Sequence, residues 1–347
     1  MFSIQINSTP VNFTKFFGVG DKDSVLAAIP EGTKRVVFID TPSTAHLVGT
    51  IESLISRGIE VVVRDHHDVP SPRNPREQEI HDAASKTREL VGSNATISDR
   101  ATHPACSGLI EIGEFNGEGT VLVADPDPDG LTAAMKAVGI VYDGLDADAA
   151  VLDGARSEQT AERLTPIALL LVKGMATLPP FNADRPQIAE EAKGKLFAEF
   201  AAAAGGDAAA LESLGRKVEA YEEGVRAAEA IAALTFSPVA GVVVADAVGK
   251  PRHDLATLAA KMEAQQGCRV TVVRKDNGPI AAKHGVQYSL AVVKAHQADI
   301  NLQELLKPGF TSSPESGIIS NTTFLLHVSA EVWENEVLSA LTARLTA

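Results

Sequence analysis

Short apolar runs that end in acidic or histidine-bearing turns recur through the first half of the chain. Residues 36–40, VVFID, are β-branched and apolar up to a terminal Asp and predict a buried strand. Residues 43–57 have helical spacing, with Ser43 or Thr44 placed to cap the first turn. A second apolar strand is expected over 59–63, and Arg64-Asp65-His66-His67-Asp68 follows it directly. The patterns over 78–92 and 104–115 read as helices. TVLVA, at 120–124, predicts a third strand that runs into DPDPDG, with a helix from 131 to 138 after it. Strands alternating with helices predict a parallel sheet. Ligands of such sheets collect beyond the carboxyl ends of the strands, and three Asp-bearing segments stand at three such ends.

The pattern changes over 186–236, where Ala, Glu and Lys dominate and Gly205-Gly206 is the break; this predicts a pair of helices between two domains. Beyond Pro238, GVVVAD (241–246) opens a second strand–helix–strand unit, with a helix over about 254–266 and RVTVVRK (269–275) as the next strand. VQYSLAVVKA (286–295) alternates like an antiparallel strand, FLLHVS (324–329) is another, and the last residues suit a helix. The expected organisation is α/β throughout: a parallel-sheet domain over 1–182, a helical linker over 183–236 and a smaller α/β domain over 237–347.

Composition narrows the function. None of the 347 residues falls in an apolar run approaching the roughly 18 needed to cross a bilayer, and the first residues lack the basic-then-apolar pattern of a secretory signal. Two distant cysteines, Cys106 and Cys268, make neither a disulfide framework nor a thiolate zinc site. A soluble, cytoplasmic protein with no membrane partner is expected. Residues 237–347 balance ten Lys and Arg against ten Asp and Glu, so the whole net charge of −14 falls on the first 236. Proteins that wrap long nucleic acid usually carry a basic excess. Either the substrate here is small, or metal ions supply the positive field.

The acidic segments are where such ions would go. Asp125, Asp127 and Asp129 alternate, so in an extended loop stiffened by Pro126 and Pro128 they point the same way. Like charges this close resist ionising unless a cation sits between them, and hard oxygen ligands suit Mg²⁺, Mn²⁺ or Ca²⁺. A calcium loop needs a Glu with five residues between it and the glycine, and position 136 is Lys. Asp65 precedes two histidines and can fix an imidazole tautomer. Asp40 becomes a candidate bridging ligand once the other two segments are beside it.

Together, VFID ending at Asp40, RDHHD over 64–68 and ADPDPDG over 124–130 resemble the motif set of the DHH phosphoesterases, with their order permuted: the DPDPDG segment comes after the DHH segment instead of before it. The stretch from 241 onward resembles the DHH-associated substrate domain. The resemblance implies metal ligation by Asp40 (bridging), His66, Asp127 and Asp129, with Asp125 where the family has a histidine. It implies that His67 lies near the scissile phosphate and that Asp65 orients a histidine. It implies two Mn²⁺ ions, with Mg²⁺ as the other possibility. The family's last Asp has no match at Thr177 or Leu178, and Asp153 is the substitute. KPGFTSSPESG (307–317) stands where the family has a glycine-rich phosphate loop, which makes Ser312, Ser313, Ser316 and Gly317 candidates; Arg252, Arg274, Lys294 and His296 would add positive charge. The implied activity is hydrolysis of single-stranded nucleic acid or short oligonucleotides. The alternatives are a cyclic-dinucleotide or nucleoside-bisphosphate phosphatase, and an inactive Cdc45-like scaffold.

Overall fold

The computed structural model describes residues 1–14, 21–154, 162–179, 186–251, 253–265, 267–276, 288–295, 298–302, 304 and 323–345. The chain divides into two compact units, Met1–Glu219 and Ala220–Ala347.

The first unit opens with a hairpin of β1 (Phe2–Ile6) and β2 (Thr9–Phe13). Its turn residues Asn7 and Ser8 both have positive φ, 47° and 65°, the backbone that a two-residue hairpin turn requires. Then come α1 (Asp21–Ala28), β3 (Arg35–Ile39), α2 (Ala45–Ser56), β4 (Glu60–Asp65), α3 (Pro75–Val91), β5 (Ala95–Ile97), β6 (Thr120–Ala124), α4 (Pro128–Ala137), α5 (Leu145–Gly154), α6 (Pro166–Ala176) and α7 (Pro186–Ala204). The sheet order is β1-β2-β6-β3-β4-β5, parallel throughout except for the hairpin. Thr44 caps α2 by accepting the Leu47 N–H.

Register decides what gathers at the edge of this sheet. Ile39 pairs with Arg64 on one side and with Ala124 on the other. One residue further on, Asp40, Asp65 and Asp125 therefore stand in a row at the carboxyl ends of three adjacent strands. The chain leaves β3 toward β4 on one side, while β6 enters on the other, and a reversal of this kind opens the crevice in which such sheets bind ligands.

Two expected elements differ. The helix after β6 begins at Pro128, not at residue 131: Asp127 is its N-cap and accepts the Gly130 N–H, and Pro128 takes the first helical position, where its missing N–H costs nothing. Gly130 is required by proximity, since a Cβ there would meet the Asp125 carbonyl oxygen at 2.5 Å. The helix expected over 104–115 is a single 3₁₀ turn, Cys106–Leu109. Gly108 and Gly113, the latter at φ 73°, weaken a helix there, and Ile112 is left 63% exposed.

Helix α7 belongs to the core beside the hairpin. Leu196, Phe197 and Phe200 are fully buried, and Phe197 meets Phe2 and Phe13 edge-on, with centroids 5.7 and 5.1 Å away. Helix α8 (Ala208–Ala232) runs across the division into the second unit. That unit holds β7 (Val242–Asp246), α9 (Leu255–Glu263), β8 (Val270–Asp276), β9 (Tyr288–Lys294), β10 (Thr323–Val328) and α10 (Leu338–Leu345). Its sheet runs β10-β9-β8-β7, with β7 and β8 parallel and the other pairs antiparallel. Among the described residues, no helix is long and apolar enough to cross a membrane.

Truncating Phe197 removes the ring on which both hairpin strands rest. Phe197→Ala is expected to cost about 3–5 kcal/mol, the range for burying a void in place of a large aromatic side chain, measured as a loss in chemical-denaturation free energy.

A candidate metal centre at the carboxyl edge of the sheet

Asp40 is the residue at which β3 stops. Its φ is 55°, in the left-handed region that Asp tolerates better than most side chains. Its N–H still donates to the Arg64 carbonyl at 2.9 Å, extending the ladder by one rung. The carboxylate that this backbone delivers is 1% exposed.

Around it the structure assembles three overlapping groups: Asp40 with His66 and His67; Asp40 with Asp127 and Asp129; and His66 with Asp129 and Asp153. In each, every residue offers one ligand atom within 4.8 Å of the others. Asp40, His66 and Asp129 are each shared by two groups. Up to 113 residues of sequence separate the contributors, from Asp40 to Asp153. Asp125 belongs to none of these groups. It lies half-buried at the end of β6 and adds its negative field to Asp40.

The two histidines are held differently. His66 Nδ1 lies 2.9 Å from the His103 carbonyl. A carbonyl only accepts, so Nδ1 carries a hydrogen and Nε2 is the atom turned toward the cluster. That Nε2 is 3.0 Å from Asp40 Oδ1 and 3.7 Å from an Asp129 oxygen, yet no hydrogen bond forms, because the ring nitrogen has no suitably directed hydrogen. His67 Nδ1 lies 2.8 Å from Asp65 Oδ1, so a carboxylate fixes this ring, and Nε2 faces outward.

Buried polar atoms without hydrogen-bond partners concentrate here: Asp40 Oδ1, Asp65 Oδ2, His66 Nε2 and both oxygens of Asp129. Buried polar groups are ordinarily paired. Carboxylates crowded round a ring nitrogen that hydrogen-bonds to none of them repel one another unless a cation stands between them. Burial first, then the charges of Asp127, Asp65, Asp125 and Asp153, push the Asp40 carboxyl well above the usual carboxylate range. Burial and the charges of Asp40, Asp127 and Asp153 push Asp129 up to about 11. Cys106, beneath the cluster, is kept a neutral thiol by burial and by the same carboxylates. The residues therefore fit a divalent cation: hard oxygens, one neutral imidazole nitrogen, and a carbonyl that fixes the ligating tautomer from behind.

Arg100 is a site residue that the sequence pattern did not single out. Its Nη2 lies 2.8 Å from His67 Nε2 and 2.8 Å from Asp153 Oδ1. It sits on the 98–103 loop, the same loop whose His103 carbonyl holds His66. Asp99 stabilises this loop by accepting from the N–H groups of Ala101 and Thr102 and from the Thr102 hydroxyl.

Of the residues expected to bind substrate in the second unit, Lys294 is the last residue of β9 and partly exposed. Arg274 is engaged, with Nη2 2.6 Å from Asp246 and its guanidinium 4.7 Å from the Tyr288 ring centre. Arg252, His296, Ser312, Ser313, Ser316 and Gly317 lie outside the described residues.

No family model and no curated protein matches the chain. Among solved structures, it is similar to the pGpG-specific phosphodiesterase PggH from Vibrio cholerae, with 11% identity over 90% of this chain and 98% of that one and a TM-score of 0.39. It is also similar to the DHH domain of a member of the s1p family of ribosomal proteins, with 14% identity over 96% of this chain and 75% of that one and a TM-score of 0.38. Function is argued below from this chain's own residues.

The raised carboxyls set a pH dependence. Above an ordinary value of 3.8 the unfolded chain has released protons that Asp40 and Asp129 still hold in the native state. Their contribution to stability therefore falls as pH rises toward the folded values. Cation binding needs these groups ionised and releases their protons, so it strengthens with pH. Between pH 5.5 and 8.5 the rise in Tm given by saturating Mn²⁺ is expected to grow, and to be lost in Asp129→Asn. Scanning calorimetry with Mn²⁺ against EDTA checks this; a rise of constant size across that window counts against the raised carboxyls.

Proposed function

We propose that this chain is a metal-dependent phosphodiesterase of the DHH type, with its motifs in permuted order, that hydrolyses short single-stranded oligonucleotides. The observation that carries the reading is the pair of overlapping ligand groups Asp40–Asp127–Asp129 and His66–Asp129–Asp153, with Asp40 beside His66, at the crevice between β3 and β6. The permuted order is supported by the sheet, since β6 follows β4 and β5 in the chain yet pairs directly with β3. A scaffold with a decayed centre would have no reason to keep so many buried carboxylates unpaired.

Asp40, Asp127 and Asp129 would hold one divalent ion, and Asp40, His66 and the carboxylates facing His66 a second, with Asp40 common to both. When bound, such a pair supplies a water of lowered pKa and positive charge against the phosphoryl oxygens. The protein's own groups do the rest. His103 keeps the hydrogen of His66 on Nδ1, so that Nε2 stays a donor of electrons. Asp65 keeps the hydrogen of His67 on Nδ1, leaving Nε2 as the atom that would exchange a proton with the substrate or its leaving oxygen. Arg100, touching that same Nε2, is placed to donate to a phosphate oxygen there. His66 Nε2 among carboxylates favours Mn²⁺ over Mg²⁺, because imidazole is a softer ligand than oxygen.

The test is nucleotide release from a short single-stranded oligonucleotide in Mn²⁺ against EDTA. Release only with the metal is expected, and no release under any divalent ion sinks the reading. At saturating metal, turnover is expected to be faster with Mn²⁺ than with Mg²⁺; equal rates would remove the argument from His66.

Two substitutions separate ligation from proton transfer. Asp40→Asn is expected to abolish both Mn²⁺ binding, followed by titration calorimetry, and turnover. His67→Ala should keep the bound metal and lose turnover by roughly 10²–10⁴-fold, the usual worth of a general acid–base group. A His67→Ala protein that no longer binds Mn²⁺ would make His67 a ligand instead.

A further inference from the structure

Beyond His67 the chain turns away from the sheet through Asp68, Val69 and Pro70. It faces the 98–103 loop and the start of α3 across a hollow of about 410 Å³. Ligand sites span about 300–1,000 Å³, so the hollow has room for one nucleotide and not for several. Arg100 lines it, and also touches His67 and Asp153, so it spans the boundary between the hollow and the metal centre.

Three acids line the hollow, and each is engaged within the protein. Asp68 pairs with Arg88 and accepts from His81. Asp99 holds the turn of its own loop. Glu77 accepts the Arg73 N–H. The cations differ. The Arg73 guanidinium has no side-chain partner among the described residues and is exposed on the wall of the hollow. Arg100 is 53% exposed despite its two contacts. Val69, Pro70 and Ala101 supply a small apolar wall, and among the described residues no aromatic ring lines the cavity on which a base could stack.

We propose that this hollow is a nucleoside-phosphate subsite. It receives the nucleotide next to the scissile bond, with Arg100 on the phosphate shared with the metal centre and Arg73 on the next phosphate along the strand. The substrate class is then a short oligonucleotide that carries a further phosphate beyond the cleaved one. Its bases are not distinguished, because stacking, the usual source of base affinity in single-strand sites, has no platform here. This inference rests on the phosphodiesterase reading for the identity of the substrate, but the subsite itself is testable without metal or turnover.

In EDTA, calorimetric titration of the full chain with adenosine and cytidine 3′,5′-bisphosphate is expected to give similar affinities for both, and tighter binding than inorganic phosphate. Arg73→Gln and Arg100→Gln should each weaken nucleotide binding about 10- to 100-fold, the size of one lost hydrogen bond to a charged group. With Mn²⁺, Arg73→Gln should lower kcat/KM about tenfold for a dinucleotide bearing a terminal phosphate, and leave a dinucleotide without that phosphate unchanged. Wild-type nucleotide affinity in both variants overturns the proposal. So does an equal kinetic loss for the two dinucleotides, which would place Arg73 in maintenance of the fold or of the centre. Nucleotide binding that depends on both arginines, in a protein that cleaves no phosphodiester with any metal, would support the subsite and refute the phosphodiesterase reading.

Discussion

Repulsion between carboxylates is the constraint around which the first unit is arranged. Asp40 lies in the combined field of Asp65, Asp125, Asp127 and Asp153, and Asp129 in the field of Asp40, Asp127 and Asp153. At an effective dielectric of about 20, two unit charges about 4 Å apart repel by about 4 kcal/mol. A few such pairs would consume the 5–15 kcal/mol by which a typical domain is stable. The native state can hold this cluster only by protonating some of its members or by admitting cations. The buried polar atoms of Asp40, Asp65 and His66 that lack hydrogen-bond partners are ones a cation would satisfy.

The scaffold that enforces this crowding is built from ordinary interactions. Parallel register brings Asp40, Asp65 and Asp125 level with one another, and the fully buried run Val36–Ile39 fixes that register, because a slip of one residue would turn the apolar side chains out of the core. Helix α4 begins inside the cluster, so its positive end lies at Asp127 and Asp129 and offsets part of their charge. The loop that carries Asp125–Asp127 is tied from outside the sheet, by the Lys193 ammonium of α7 to the Pro126 carbonyl. The 98–103 loop reaches the centre twice, through the His103 carbonyl and through Arg100.

How much of this the sequence discloses follows from the range of each interaction. The central strands are legible because their β-branched runs are buried on both faces, and the ligands on β3, β4 and the DPDPDG turn are legible because each stands directly after such a run. The start of α4 was misplaced by three residues because the Asp-Pro-Asp-Pro repeat suggests extended backbone, whereas Asp127 and Pro128 are also a cap and a first helical residue. The false helix over 104–115 came from apolar spacing that did not weigh Gly108 and Gly113. The N-terminal hairpin carries a signal too, the alternation of FSIQI and an Asn at the turn, but strands this short are easily matched by chance. Asp153 is legible only through the resemblance, as the substitute for the family's last Asp, and Arg100 carries no signal at all. They are 53 residues apart in segments without periodicity, and only the folded chain places them 2.8 Å from one another.

The same dipeptide serves two purposes because its two rings are anchored to different acceptors. His66 leans on a neutral carbonyl and is wholly buried; His67 leans on the Asp65 carboxylate and remains 18% exposed. A carbonyl fixes a tautomer without adding charge, which suits a ring whose free nitrogen must stay unprotonated toward a cation. A carboxylate fixes the tautomer too, and it also offsets the positive charge that appears if the outward nitrogen takes a proton. Under the phosphodiesterase proposal, ligation by His66 and proton exchange by His67 would be separated by one residue of chain, and what stands behind each ring would make the division. Arg100 meets it from the solvent side, with its guanidinium 2.8 Å from His67 Nε2; under the phosphodiesterase proposal, a phosphate that drew this guanidinium away would free that nitrogen.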